Sequence, residues 1–240
     1  MSELTFPTEL VDLPSKGLLY PKDHPLRSGK VEIKYMTAKE EDILTNQNLI
    51  SKGTVLDKLM EELTLKKIDV KDVCIGDKNA MFMAARILGY GSEYQFTYDG
   101  KEHKIDLSTI EHKPFNTTLV DENGYFSFEF PKSKINIKFK ILTEKDEAVI
   151  EEEIKSLNKF ASPGSGEVTT RLKHQIVSIE DKNDKSEIRS FVENHLLAQD
   201  SRALRNYIKE ISPNIDLDYT LENGEIIEIP ISLGFFWPDL

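Results

Sequence analysis

Cysteine is almost missing from this chain. Of 240 residues only Cys74 is a cysteine, so no disulfide can close within the chain and no cysteine-rich zinc site can be built. A reducing compartment fits that usage. Long apolar runs are missing too: nothing approaches the roughly 20 consecutive apolar residues that cross a bilayer, so no membrane span is expected. The opening residues, Met1 to Phe6, lack the basic flank and apolar stretch of a secretory signal, and the chain is expected to stay in the cytoplasm where it is made. Positive charge is in deficit. Lys and Arg number 31 against 42 Asp and Glu, and the net charge of −11 sets up a field that repels phosphate backbones, so nucleic acid is not an expected partner.

The signatures of catalysis are absent as well. There is no G-x-S-x-G elbow, no H-E-x-x-H, no Walker loop and no G-x-G-x-x-G. The five histidines, at 24, 103, 112, 174 and 195, show no paired close spacing, and they read as surface or packing residues. Cys74 sits between Val73 and Ile75, a context for packing rather than for a reactive thiolate. The acidic runs Glu40-Glu41-Asp42 and Glu151-Glu152-Glu153 put neighbouring carboxylates on different sides of a helix, which suits a cap and a solvated face better than acid–base work. No catalytic, cofactor-binding or metal-binding residue is therefore expected, and no small-molecule substrate.

What is present is a mixed pattern, with 39% hydrophobic and 30% charged residues, in the range of globular domains. Prolines at 7, 14, 21 and 25 exclude a helix from the opening segment, which reads as an extended arm followed by a strand, Val31 to Tyr35. Leu18, Leu19 and Tyr20 in that arm either pack on their own domain or reach a neighbouring subunit. Thr37-Ala38-Lys39-Glu40 has the form of a capping box and predicts a helix from Ala38. A second helix is expected over 54–65. Asp77 is placed to cap a third over 78–88, apolar almost all round and therefore central.

From Glu93 the period changes to two. Tyr94 to Leu107 around Asp99-Gly100 predicts a hairpin, and Tyr125 to Phe130 with Ile135 to Ile141 predicts a second strand pair. Helices follow at 143–157, 168–179, 185–198 and 201–211, with a flexible loop at 161–166. A last hairpin, 217–229, turns at Asn223-Gly224, and its pattern is close enough to the first to suggest a weak internal duplication. Phe235, Phe236 and Trp237 then either plug the core or anchor a partner. Two polar features are expected to be structural: Arg86, in apolar surroundings, pairing with a buried acid, and Asp200, capping the helix that carries Arg202 and Arg205.

The sum is an α+β fold with a central buried helix, a small antiparallel sheet and two peripheral hairpins. It divides into an arm and first strand (1–36), a helical core with hairpin and sheet (37–160), and C-terminal helices, hairpin and aromatic tail (161–240).

Five stretches in order, LPSKGLLYP, YMTAKEEDILT, GDKNAMFMAARILGYG, DSRALRNYI and FFWP, resemble the baseplate hub and hub-assembly proteins of T-even-type contractile-tailed bacteriophages. The resemblance implies a structural or assembly component of the tail baseplate hub. Its partners would be other baseplate and hub proteins, it would be built in the host cytoplasm, and it would reside in the virion. Two alternatives stay open: an assembly chaperone absent from the finished virion, and a phage-encoded hydrolase without a recognisable motif. Similar proteins often carry CxxC pairs in the two hairpins as zinc-ribbon knuckles. Here Tyr98-Asp99-Gly100 and Leu221-Glu222-Asn223-Gly224 occupy those turns, so the hairpins are zinc-ribbon-like in outline only and no zinc is expected.

Overall fold

A computed structural model describes residues 7–159 and 166–236. Helices and small antiparallel sheets of two or three strands make it α+β, as the alternation of periods predicts. No helix among the described residues is long and apolar enough to cross a membrane.

The opening segment is folded rather than extended. Strand β1 (Thr8–Asp12) pairs antiparallel with β2 (Lys30–Lys34), matching Thr8 to Lys34 and Asp12 to Lys30. Between them the chain makes successive turns. The prolines exclude a helix, as expected, but turns let Leu13, Tyr20 and Leu26 bury themselves, which a free arm would leave in water. Two glycines make this possible: a β-carbon on Gly17 would sit 2.4 Å from the Arg27 carbonyl oxygen, and one on Gly29 would sit 2.8 Å from Lys16. Both also have positive φ, at 75° and 74°, a region open to glycine.

Helix α1 (Ala38–Leu44) starts where the capping box places it: the Glu40 carboxylate accepts from the Thr37 amide at 2.9 Å and the Thr37 hydroxyl at 2.6 Å. A short α2 (Gln47–Ser51), capped by Asn46, precedes α3 (Val55–Leu63), whose Val55, Leu59, Met60 and Leu63 are buried. Helix α4 (Ile75–Tyr90) is the central one, with Ala80, Met81, Phe82, Met83 and Ala85 all buried. It begins a turn earlier than expected because Cys74 is its N-cap; Asp77 lies inside the first turn and has another task, described below. Gly91 ends it, at φ 83°.

Strands β3 (Glu93–Tyr98) and β4 (Lys101–Asp106) form the expected hairpin, with Asp99 at φ 48° and Gly100 at φ 72°, the two left-handed residues of a tight two-residue turn. The sheet beyond it has three strands, not two: β5 (Phe126–Glu129), β6 (Asn136–Phe139) and β7 (Ile176–Ile179), in that order. The helix expected over 168–179 is α6 (Glu167–Gln175), and it stops at Gln175. The β-branched residues Ile176, Val177 and Ile179 then pair with β6. Around this sheet pack α7 (Lys185–Asn194) and α8 (Ala198–Ile211), while α5 (Glu144–Asn158), capped by Thr143 as expected, packs on α6. The final hairpin, β8 (Asp218–Thr220) and β9 (Ile226–Glu228), leads to a single turn, α9 (Leu233–Phe236).

Two apolar cores result. The first gathers β1, β2, α1, α3, α4, both hairpins and α9; the second gathers the three-stranded sheet with α6, α7 and α8. Leu19 and Ile141 touch both. These cores cut across the divisions expected at 36 and 160, because β5 and β6 close on helices that follow residue 160, and the tail returns to the first core. Gly76 marks that return: a β-carbon there would lie 1.8 Å from the Pro213 carbonyl oxygen.

Candidate functional site

The residues singled out from sequence as partner anchors are mostly inside. Leu18 and Leu19 are half-buried, and Arg27 Nη1 donates to the carbonyl oxygens of Leu18 (3.0 Å) and Tyr20 (2.8 Å), fixing that turn. Tyr20 is buried, and its hydroxyl donates to Asp77 Oδ2 at 2.6 Å. The same carboxylate accepts from the Ser15 amide (2.8 Å) and the Ser15 hydroxyl (2.5 Å). Asp77 is thus the post to which the opening segment is tied, not a helix cap. Burial, reinforced by the neighbouring Asp77, pushes the Tyr20 phenol and the Cys74 thiol far above their ordinary ranges, so both stay protonated.

Phe235 and Phe236 are fully buried as well, in edge contacts with Tyr94 at 4.9 Å and Phe82 at 6.0 Å between ring centroids. Of the two readings of the aromatic tail, the core one holds for this pair; Trp237 lies outside the described residues. Arg86, 1% exposed, donates to the main-chain oxygens of Gly91 (2.8 Å), Glu93 (3.2 Å) and Phe235 (2.9 Å), and its guanidinium lies over Tyr90 and Tyr94. These three bonds run to backbone, and they join the end of α4, the first hairpin and the tail.

Asp200 is also not a cap. Leu197 holds that position, and Asp200, in the first turn of α8, accepts from the amides of Lys132 (2.8 Å) and Ser133 (3.0 Å) in the β5–β6 turn. Arg202 and Arg205 are exposed on the same helix. Burial raises the Asp200 pKa, but those amides outweigh it and hold the carboxyl below its ordinary value. The group therefore adds stability that is fully present above its unfolded value, about 3.9, and is lost as pH falls through the lower folded value. Asp200→Ala is expected to cost about 2 kcal/mol at neutral pH, by orphaning two amides, and to flatten part of the acid limb of a urea-midpoint-against-pH curve.

A groove of about 950 Å³ lies open between α5, α6, β7 and α7. One face of α5 lines it with Asp146, Val149, Glu153, Ser156 and Leu157. Val149 is half exposed, an apolar residue facing water on a rim of charge. The carboxylates are committed: Asp146 bonds Lys140 at 2.6 Å, and Glu153 bonds Lys173 at 3.0 Å and His174 at 2.9 Å. Desolvation raises both carboxyl pKa values, but the lysine, histidine and Thr143 partners outweigh it and hold them below the ordinary range. Such groups are poor proton donors at neutral pH. The groove presents an apolar strip inside a ring of paired charges.

The two hairpins lie side by side. Tyr219 meets Phe96 (5.3 Å) and His103 (5.7 Å) between ring centroids, and the Tyr98 hydroxyl donates to Glu225 at 3.3 Å. Their turns therefore face each other, as two zinc knuckles would. The residues do not fit a metal, however: no group of three His, Cys, Asp or Glu suited to an ion occurs among the described residues. Aromatic packing holds the hairpins instead. The melting temperature is expected to be the same with and without a chelator, checked by calorimetry beside elemental analysis for zinc.

The chain matches no protein-family model, no curated protein and no solved structure.

Proposed function

We propose that this protein is a structural or assembly component of a contractile-tail baseplate hub of the T-even type, acting by protein–protein association. The observation that carries the reading is where the five resembling stretches fall. Four of them hold one another in place: Ser15 and Tyr20 of the first are tied to Asp77 of the third, Met36 of the second packs against Gly89 of the third, and Arg86 of the third holds the Phe235 carbonyl of the fifth. Asp200 of the fourth secures the β5–β6 turn. Four scattered stretches that work as one framework support a resemblance of the fold rather than separate coincidences. The open groove, with an apolar strip and committed charges, suits association better than turnover.

The test is tagged expression during infection by a phage that encodes the chain, followed by co-purification. Recovery of hub subunits in fixed ratio is expected. Recovery of none, from cells making normal tails, would remove the reading.

A further inference from the structure

We propose that two copies of this chain pair edge to edge through β1, antiparallel, about a two-fold axis at Leu10. Among the described residues β1 has β2 as its only strand neighbour. Hydrogen bonds from Tyr35 N to Pro7 O (3.1 Å) and from Leu13 N to Gly29 O (2.9 Å) bracket the strand. In an antiparallel ladder alternate residues bond across, so Glu9 and Val11 face β2, while the N–H and C=O groups of Thr8, Leu10 and Asp12 point to the free edge. Glu9, Leu10 and Asp12 are exposed, Leu10 by 57%. The strand carries no proline and no bulge to blunt it.

A second copy fits this edge in one full-length register. Pairing the strand with itself places Leu10 opposite Leu10, Thr8 opposite Asp12 and Glu9 opposite Val11, so no like charges face each other. The outward groups of all three edge residues then find partners. Sliding by two residues one way sets Glu9 against Glu9, which is unfavourable; sliding the other way shortens the ladder. Leu10 stands opposite Glu32, and Leu65, 54% exposed, bonds Glu32 O at 3.3 Å from the other side of β2. Two-fold pairing brings the Leu10 side chains of the two copies together.

The net charge of −11 opposes association, but the sheet itself is nearly neutral. Lys30 and Lys34 stand against Glu9, Asp12 and Glu32, and Lys30 pairs Asp12 at 3.2 Å. Charges elsewhere are screened beyond about 8 Å at physiological salt. A five-residue edge is a small interface, so the dimer should be weak and concentration-dependent. It stands apart from the hub reading and does not depend on it.

The test is sedimentation equilibrium over a wide concentration range, with amide hydrogen exchange at Leu10. The wild type should be a reversible monomer–dimer system in which Leu10 exchange slows as concentration rises. Leu10→Pro removes an outward amide that β2 does not use, and Leu10→Lys charges the edge. Each should weaken dimerisation by about 30-fold or more, one bond or contact being lost from each copy. Leu10→Lys, at an exposed site, should keep the wild-type circular dichroism even if Leu10→Pro disturbs the strand. A wild type that stays monomeric at the highest concentration, or a dimer that Leu10→Lys leaves intact, overturns the proposal.

Discussion

Met81→Asp is expected to abolish folding. Met81 is fully buried in the middle of α4, among Leu59, Met60 and the other side chains of the first core. An aspartate there has either to ionise without water or to fold as a neutral acid with unmatched bonding groups, and the space of a methionine is lost as well. The combined cost is of the order of 5 kcal/mol or more, comparable with the whole stability of an ordinary domain. The expected outcome is loss of cooperative melting and of near-ultraviolet circular dichroism. A soluble variant with a wild-type melt would show that α4 is not the centre of the fold.

Asp77→Ala should come next in size. The carboxylate accepts from the Ser15 amide, the Ser15 hydroxyl and the Tyr20 hydroxyl, all buried. Removing it orphans those donors and takes a negative charge from the first turn of α4, where the helix dipole favours one. About 3 to 5 kcal/mol should be lost in urea unfolding, and the segment 13–29 should become the first site of proteolysis. Tyr20→Phe removes one of the bonds and should cost about 1 to 2 kcal/mol. If Asp77→Ala were as stable as wild type, the segment would not be anchored there. The same anchoring means that deletion of residues 1–22 should destabilise the fold, since it removes β1, Leu13 and Tyr20, rather than leave a folded protein without an arm.

Local signals were legible in the sequence because their partners lie within a few residues. The Thr37 and Glu40 box, the Thr143 cap, Asp99-Gly100 and the two strand periods each act over one turn, and each stands where the pattern puts it. The α+β class followed from them. What could not be read was bonding across long separations. Asp77 and Asp200 both look like caps, since an acid before an apolar run normally is one. Their actual partners, Ser15 and Tyr20, and Lys132 and Ser133, lie more than fifty residues away in the chain. Strand β7 was hidden for another reason: Ile176 to Ile179 follow a helical run without a break, and only pairing with β6 decides their state.

Burial of Tyr20, Phe235 and Phe236 was hidden for a similar reason. Tyr20 and Phe235 carry the composition of an interface, and nothing in the sequence tells that from the composition of a core. A groove assembled from α5, α6, β7 and α7 leaves no local trace either.

The central claim, that this chain is built into a baseplate hub or into its assembly, meets its most direct test in a mass-spectrometric census of purified virions and of tail-assembly intermediates from a phage that encodes it. The account predicts the chain in the hub fraction at a fixed ratio to the other hub proteins. Its presence in intermediates but not in virions would make it an assembly factor. Its absence from both, in infected cells where it is made in quantity, would contradict the account.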